Sequence, residues 1–352
     1  MEANKVEIIL KEMIKPSSPT PSPLRIHKLS LLDQISPPVF IPLIFLYQHH
    51  NNINRATKLL KQSLSDALTR FYPLAGRLNN DNKYSIDCND AGAEFIEAEV
   101  HGYNLSHVIQ TPKMEDLREF LPRVLGNDDD VLLAGIAIGV CMSHKVGDGS
   151  SIVTFINVDI SCISERAVSG GKSASSRSQV KDPTRMEALS AFVWKHFMKK
   201  DSKKMFVAVH AMNIRSRMNP TIPDNSFGNL WTAALAFPEM MASTNDDDLV
   251  YQLRNAIRNI NSDYIKILQN GQDFLKHMGR LVEMFSKGEV EFCNFTSWCR
   301  FPVYEVDFGW GKPIWVCTTT FPYENMFIFV NTKCGEGIEA WVNMLEDDDD
   351  LI

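Results

Sequence analysis

The segment His144-Lys145-Val146-Gly147-Asp148-Gly149 comes directly after an apolar run, Gly135 to Ser143, that has the length and composition of a buried strand. Its His and Asp are four residues apart and would share one face of a helix, but the two glycines argue against a helix here. We therefore expect a loop at the end of a strand, where strand ends commonly present reactive groups to a cleft. A neutral imidazole suits general-base chemistry near neutral pH, so His144 is a candidate catalytic residue.

Other chemistries can be compared for the same segment. A lone histidine is often a core residue with only a structural role. Glycines on both sides of Asp148 favour a functional role, because an ordinary core strand does not need the backbone conformations that glycine allows. A metal site would need a third ligand at a diagnostic spacing, such as His-Glu-x-x-His, and a serine nucleophile would predict a Gly-x-Ser-x-Gly turn. The sequence contains neither pattern, and we expect no metal site.

The composition is that of an ordinary globular protein. The chain has 352 residues, of which 44% are hydrophobic, and this length suggests two domains or one large one. Its formal net charge of −7 argues against a protein that coats nucleic acid or an anionic membrane. No apolar stretch approaches the roughly 20 residues of a membrane-spanning helix.

The seven cysteines are odd in number and scattered, which favours a reducing compartment, and we expect a cytoplasmic protein.

A segment rich in Gly and Ser divides the chain near its middle and predicts a linker. We therefore expect an N-terminal domain at 1–165, a linker at 166–182 and a C-terminal domain at 183–352. Helical and strand patterns occur in both halves, which indicates a mixed α/β class. The spacing of apolar residues predicts one helix over Leu249 to Leu268, and the tail begins with a predicted strand over Val303 to Val306.

The second conspicuous segment is Asp307-Phe308-Gly309-Trp310-Gly311-Lys312-Pro313. Its glycines, proline and tryptophan predict a tight turn with a large apolar anchor, which is a structural interpretation. A buried carboxylate in this turn would need a cationic partner. Arg215 and Arg217, which follow a predicted strand, are the candidates for that partner.

Together the two segments, His-x-x-x-Asp-Gly at His144 to Gly149 and Asp-Phe-Gly-Trp-Gly at Asp307 to Gly311, resemble the motifs of the BAHD family of plant CoA-dependent acyltransferases. They occur in the order found in that family, and further similarity extends over nearly the whole chain. It is found at Leu29 to Gln34, Phe71 to Arg77, Arg215 to Asn219, Gly228-Asn229 and Thr296 to Arg300. The sequence is most similar to the branch whose members use acetyl-CoA to acetylate hydroxyl groups of alkaloids.

The resemblance implies two similarly folded α/β domains, like those of chloramphenicol acetyltransferase, with a solvent channel between them. In that fold His144 would lie within the channel and take the proton of the acceptor hydroxyl while its oxygen attacks the thioester carbonyl. The CoA thiolate would then leave a tetrahedral intermediate, without an acyl-enzyme. The implied partners are a small-molecule alcohol and an acyl-CoA donor, here acetyl-CoA as a co-substrate, with no bound cofactor and a monomeric chain.

The resemblance also implies roles for other residues. Asp148 would orient the loop and pair with Arg215. Thr296 would donate a hydrogen bond to the oxyanion, and Trp298 would lie near the reacting carbonyl. A further set of residues would serve the structure of the two motifs and their surroundings: Gly149, Asp307, Gly309, Trp310, Gly311 and Arg215.

The sequence departs from the family pattern in three places. Asp128 to Leu133 runs almost directly into the strand before His144, so a strand that usually ends in Cys-Gly-Gly is expected to be missing. The short linker replaces a longer crossover between Cys162 and Thr184, and Leu345 to Ile352 stands where family members continue into a final helix. Two hypotheses follow: an O-acyltransferase, or a catalytically silent relative that acts as a binding protein. N-acylation of an amine would use the same base.

Overall fold

The computed structural model describes residues 5–48, 53–102, 104–122, 136–157, 183–200, 204–238, 246–271, 279, 283, 286–288, 290–319 and 321–344. Three expectations concern segments outside these residues. They are the missing strand before Ile136, the linker at 166–182 and the tail at 345–352.

Strands and helices both occur throughout the described chain. The strands are β1 (Lys5–Ile14), β2 (Ile26–Lys28), β3 (Phe40–Tyr47), β4 (Arg77–Leu78), β5 (Ser85–Asp87), β6 (Ala93–His101), β7 (Ile136–Ser143), β8 (Met205–Asn213), β9 (Trp231–Ala236), β10 (Val290–Ser297), β11 (Trp315–Cys317), β12 (Met326–Asn331) and β13 (Ile338–Asn343). The α-helices are α1 (Leu31–Ile35), α2 (Ile53–Arg70), α3 (Leu105–Gln110), α4 (Met114–Arg118), α5 (Gly149–Phe155), α6 (Arg185–Lys200), α7 (Asp246–Asn259) and α8 (Ser262–Gln269). The predicted mixed α/β class is therefore observed.

The chain forms two compact units, each built from separate stretches of sequence. The first comprises Met1–Glu165, Asn225–Asn229 and Phe301–Thr320, and the second comprises Arg166–Asp224, Leu230–Arg300 and Phe321–Ile352. The segment around Asp307 therefore belongs to the first unit and not, as expected, with the C-terminal half, because β11 pairs with β3 in one sheet. The boundaries at 165 and 183 that the sequence predicts for two domains stay a prediction.

In the first unit, β3 is the central strand of a three-stranded antiparallel sheet in the order β11-β3-β7. Residues 41–47 of β3 are buried. β7 pairs with β3 over its whole length, so that Ser143 lies opposite Phe40. The expectation of a buried strand before His144 is wrong in part, since Met142 alone is buried in β7. Within the described residues β7 lies at the edge of this sheet, which leaves the other residues of the strand half-buried.

Two smaller antiparallel sheets belong to the described part of the first unit. One pairs β1 with β6, and the other has the order β2-β5-β4. Helix α2 contacts β1, and the Ser65 hydroxyl of α2 donates to the carbonyl of Lys15 at 2.8 Å. The helix ends at Arg70, shortly before Pro73, which cannot continue a helical hydrogen-bond ladder.

Among its described residues, the second unit has a five-stranded sheet in the order β13-β12-β10-β8-β9, which packs against helices α6 and α7. β10 is parallel to both of its neighbours, and the outer strands β9 and β13 are antiparallel to theirs. The Trp194 indole of α6 donates to the carbonyl of Phe206 at 2.7 Å, so its polar atom is satisfied within the core. The buried core of this unit includes Ala191, Trp194, Phe197, Phe206, Leu253, Phe295, Phe327 and Phe329.

Two local expectations are wrong, one in the second unit and one in the first. The single helix expected over Leu249 to Leu268 is two helices, α7 and α8, because the side chain of Asn261 accepts hydrogen bonds from the backbone of Asp263 and Tyr264 and starts a new helix. The strand expected at Val303 to Val306 is a 3-10 helix, Val303–Glu305. Pro302 precedes it and has no amide hydrogen for a strand ladder.

Helices α6 and α7 are joined by an ion pair between Glu187 and Arg254. Arg254 donates from Nε to Oε1 at 3.0 Å and from Nη2 to Oε2 at 2.8 Å, which is a bidentate arrangement. Thr184, which caps α6, also donates its backbone amide to Oε2 at 2.8 Å. These hydrogen bonds, with that of Arg254 the strongest, lower the pKa of Glu187 from 4.5 to about 2.

We expect Glu187→Gln to destabilise the protein near pH 7 by roughly 2 kcal/mol, because it removes a charge-assisted bidentate contact. The folded-state pKa of Glu187 is lowered, so its contribution is fully present above about pH 4.5 and is lost as the pH falls toward about 2. Urea unfolding of wild type and variant at several pH values between about 7 and 3 measures this difference.

Asp263→Asn is the matched control, since the Asp263–Lys266 pair is exposed on α8 and exposed pairs contribute little. A difference between Glu187→Gln and wild type that is equally large at every pH would contradict the assignment.

Candidate active site

The loop after β7 is built by close contacts between the end of the strand and the start of α5. The His144 amide donates to the carbonyl of Val39 at 2.8 Å, which extends the pairing with β3 by one residue. A Cβ atom on Gly147 would lie 2.7 Å from Cβ of Ser151, too close for any side chain. The sequence therefore needs glycine at this position to turn directly from strand to helix.

Asp148 is the N-cap of α5. Its Oδ1 accepts from the backbone amide of Ser151 at 2.9 Å and lies 2.9 Å from the Ser151 hydroxyl, and the residue is only 5% exposed. The same hydroxyl accepts from the backbone amide of Gly228 at 3.0 Å. Asp148 and Gly149 therefore begin the helix, and Ser151 ties this helix to the segment Asn225–Asn229.

His144 itself is held by Asn229. Its Nδ1 lies 3.0 Å from Oδ1 of Asn229. The Asn229 amide nitrogen donates to the backbone carbonyl of His144 at 2.7 Å and to Oδ1 of Asp33 at 2.9 Å. Neither Asn229 nor Asp33 was among the site residues predicted from sequence. Both stand in stretches that resemble the family, yet nothing in their spacing pointed to the histidine.

The surroundings of His144 keep its imidazole neutral. Burial lowers the pKa of His144 below its usual value, while its own backbone carbonyl, the charge of Asp148 and the side chain of Asn229 act in the opposite direction. Because the net effect is a lower pKa, the ring is neutral at physiological pH. A neutral, half-buried imidazole whose Nδ1 is engaged by a hydrogen bond can accept a proton at Nε2.

The Asp-Phe-Gly-Trp-Gly segment forms a turn anchored in the first unit. Oδ1 of Asp307 accepts from the amides of Gly309 at 2.8 Å and Gly311 at 2.9 Å. Both glycines have positive φ, +97° and +104°, a conformation that disfavours other residues. The condition for the expected cationic partner, a buried carboxylate, is not met. Asp307 is only half-buried, and it accepts from these two backbone amides.

Aromatic packing fixes the same turn to β3. The ring of Phe308 lies 5.9 Å from that of Tyr47, and the ring of Trp310 lies 6.1 Å from it. The Tyr47 hydroxyl donates to the carbonyl of Val306 at 3.2 Å. Burial, followed by the charge of Asp307, raises the pKa of Tyr47, so its hydroxyl remains a donor. The segment is thus a turn with aromatic anchors, as the structural interpretation of its sequence predicted.

The remaining predicted site residues lie in the second unit. Arg215 is fully buried at the start of the 3-10 helix Arg215–Arg217 and donates its backbone amide to Asn213 Oδ1 at 3.0 Å. Thr296 is a half-buried residue of β10 that lies opposite Ile328 of β12. Trp298 is buried, with its ring 6.5 Å from that of Phe321. The predicted pairing of Asp148 with Arg215 and the roles of Thr296 and Trp298 stay predictions.

Two other features, a metal site and a membrane-spanning helix, are absent from the described part of the chain. They contain no group of three or more His, Cys, Asp or Glu side chains that could hold a metal ion. Among the helices described, none combines the length and the apolar character needed to cross a bilayer.

Comparison with known sequences gives matches over nearly the full chain. A sequence model described as Transferase family matches residues 4–166 and 157–348. The chain is 36% identical to stemmadenine O-acetyltransferase of Catharanthus roseus and 35% identical to vinorine synthase of Rauvolfia serpentina, and each alignment covers 98% of this chain and 96% of the relative. The first alignment spans 415 positions, so that relative carries residues at internal positions where this chain has none.

Comparison with solved structures gives the same result for the fold. The crystal structure of vinorine synthase has a TM-score of 0.81 at 32% identity and covers 99% of this chain and 96% of that one. A crystal structure of F. sporotrichioides TRI101 complexed with coenzyme A and T-2 has a TM-score of 0.59 at 16% identity, covering 92% and 96%, which shows likeness of fold alone. The fold of CoA-dependent acyltransferases that the sequence predicted is confirmed.

We expect the imidazole of His144 to titrate below its usual pKa of about 6.5, because burial disfavours the charged ring. Nitrogen NMR of protein labelled at histidine measures this titration, and His144→Gln identifies the resonance by its loss. A His144 pKa at or above about 6.5 would contradict the expected effect of burial.

Proposed function

This chain belongs to the Transferase family, the BAHD acyltransferases, and is an acyltransferase; from this premise we propose that it transfers acetyl from acetyl-CoA to a hydroxyl group of an alkaloid or a similar polycyclic metabolite. The relatives named as O-acetyltransferases support the acetyl donor and the alcohol acceptor. The observation that carries the chemistry is the contact of 3.0 Å between Nδ1 of half-buried His144 and Oδ1 of buried Asn229. Burial lowers the pKa of this ring, which suits a base near neutral pH.

The proposed reaction has two proton transfers at one atom. Nε2 of His144 takes the proton of the acceptor hydroxyl as the oxygen attacks the thioester carbonyl, which forms a tetrahedral intermediate and an imidazolium. When the C–S bond breaks, the CoA thiolate leaves and the imidazolium returns the proton to it. The ester and free CoA are the products, and no bond forms between substrate and protein.

Other residues support this step in the proposal. Asp148 orients the His144 loop by capping α5, and its pairing with Arg215 would secure that cap. Thr296 donates to the oxyanion of the intermediate, with Trp298 near the same carbonyl. Asp307, Gly309, Trp310 and Gly311 hold a turn and do not touch substrate. A cytoplasmic, monomeric enzyme remains what the sequence predicts.

A second candidate is a binding protein that has lost catalysis. It is favoured by one observation: the relative carries residues at internal positions where this chain has none. The longer crossover that the short linker replaces helps to bind CoA in the family that the sequence resembles. If that crossover is among the absent residues, the chain would hold CoA poorly. The same base would also serve N-acylation, but the relatives named as O-acetyltransferases favour an alcohol acceptor.

We expect His144→Ala to lower kcat/KM for acetyl transfer by about 100-fold or more, because general-base catalysis contributes roughly 10²–10⁴ in rate. The assay incubates the protein with acetyl-CoA and a panel of alkaloid alcohols and detects the acetylated product by mass. His107→Ala is the control, since His107 is an exposed residue of α3, and it should retain wild-type activity.

Calorimetric titration with CoA separates the two candidates. Wild type and His144→Ala should both bind CoA, since the variant removes a base and leaves the rest of the chain unchanged. Full turnover by His144→Ala would refute the proposed base. Absence of CoA binding by wild type, together with no product, would favour the binding protein.

A further inference from the structure

Asp33 is a buried carboxylate to which the proposed reaction gives no role. It is 7% exposed and lies in α1, where it forms a capping box with Ser30. The amide and the hydroxyl of Ser30 both donate to Oδ2, at 2.8 Å and 2.7 Å. Oδ1 accepts instead from the Asn229 amide nitrogen at 2.9 Å. The two oxygens therefore have separate partners, one local and one 196 positions away in the sequence.

The partners of Asn229 allow one orientation of its side-chain amide. Nδ2 lies between Oδ1 of Asp33 at 2.9 Å and the backbone carbonyl of His144 at 2.7 Å. An ionised carboxylate and a carbonyl can only accept, so the group between them must be the NH₂. The reversed amide would place an oxygen against two acceptors at these distances. Oδ1 of Asn229 must therefore face Nδ1 of His144, which lies 3.0 Å from it.

This orientation decides which nitrogen of His144 carries the proton. A neutral imidazole has one N–H donor and one acceptor, and the hydrogen bond made by one nitrogen selects the tautomer. Since Nδ1 faces an amide oxygen, Nδ1 carries the hydrogen. Nε2 is then the basic nitrogen, as the proposed reaction requires.

We infer that Asp33 is a positioning residue that, through the amide of Asn229, holds His144 in the tautomer with its proton on Nδ1. The inference rests on the proposed function in one respect, that Nε2 is the reacting base. Asp33 does not touch His144 in this arrangement. Its carboxylate accepts a hydrogen bond from the amide nitrogen of Asn229, and the amide oxygen of Asn229 faces Nδ1 of His144. In a hydrolase triad, an orienting acid fixes the imidazole in a similar way.

Asp33→Asn is the direct test because it reverses the chain of hydrogen bonds. The two Ser30 donors require an oxygen where Oδ2 lies, so the new side chain turns its NH₂ toward Asn229. Two NH₂ groups then face each other. Asn229 then either keeps its NH₂ against the new NH₂, or turns its oxygen toward residue 33 and toward the backbone carbonyl of His144, which now accepts from Nδ2 at 2.7 Å. Each orientation has one unfavourable contact, so a fraction of the molecules turns, which places the NH₂ on Nδ1 of His144 and favours the proton on Nε2.

Two readouts follow, one of which needs no substrate. At about pH 7.5, nitrogen NMR of histidine-labelled wild type should show the proton of His144 on Nδ1, and Asp33→Asn should move a substantial fraction to Nε2. In the acetylation assay, Asp33→Asn should lower kcat by roughly 10- to 100-fold while KM for both substrates changes less than about threefold.

Asp90→Asn is the matched control. Asp90 is also a carboxylate of the first unit that accepts from a backbone amide and a hydroxyl, both of Thr20, but it has no contact with Asn229. Asp90→Asn should leave both the tautomer and kcat as in wild type. If it shifts them as Asp33→Asn does, the effect is general and the inference fails.

The double variant Asp33→Asn with Asn229→Asp exchanges the amide and the carboxylate. A carboxylate at 229 accepts from Nδ1 of His144 with one oxygen and from the new NH₂ at 33 with the other. This second oxygen also faces the backbone carbonyl of His144, which lies 2.7 Å from the present Nδ2, so the recovery is only partial. It should restore the Nδ1 proton, recover part of the lost kcat, and raise the pKa of His144, because a carboxylate now lies beside the ring. A merely structural Asp33 predicts no recovery by the second substitution.

The outcomes separate this inference from the proposed function. If Asp33→Asn keeps the wild-type tautomer, the inference is wrong, whatever the activity. If the tautomer moves but His144→Ala retains full turnover, the positioning is correct and the proposed base is wrong. A moved tautomer with a lowered kcat, partly restored in the double variant, supports both.

Discussion

The hydrogen bond between Nδ1 of His144 and Asn229 is the interaction on which the rest of the site depends. A general base must be neutral and partly removed from water, yet it must be held in one orientation and one tautomer. Burial lowers the pKa of His144 and keeps the ring neutral. In the proposed reaction, the contact with Asn229 fixes which nitrogen of this side chain accepts the proton.

The first unit is arranged around this contact. β3 and β7 carry the backbone to His144, Gly147 allows the turn, and Asp148 starts α5 immediately afterward. Segments from later in the chain complete the unit: Asn225–Asn229 supplies Asn229, and Phe301–Thr320 adds β11 and the aromatic turn beside Tyr47. Residues far apart in sequence are thus joined by hydrogen bonds to buried backbone and by aromatic packing.

The sequence predicted the parts of this site that are local. The apolar run, the glycines and the histidine predicted a loop after a strand, and the turn at Asp307 follows from its glycines. It could not predict Asn229, which is 85 positions from His144, or the role of Asp33, because neither spacing nor periodicity records which distant strands meet. The break at Asn261 was missed because the apolar pattern continues through both helices, while a single side-chain cap separates them.

The central claim is that the neutral imidazole of His144 is the base for acyl transfer. The most direct measurement is the pH dependence of kcat/KM, which reports the ionisation of essential groups in the free protein. If His144 is the base, activity falls on the acid side with an apparent pKa below about 6.5, equal to that of His144 in the substrate-free protein. An acid limb that does not coincide with the titration of His144, or activity that persists after His144 is protonated, would contradict this claim.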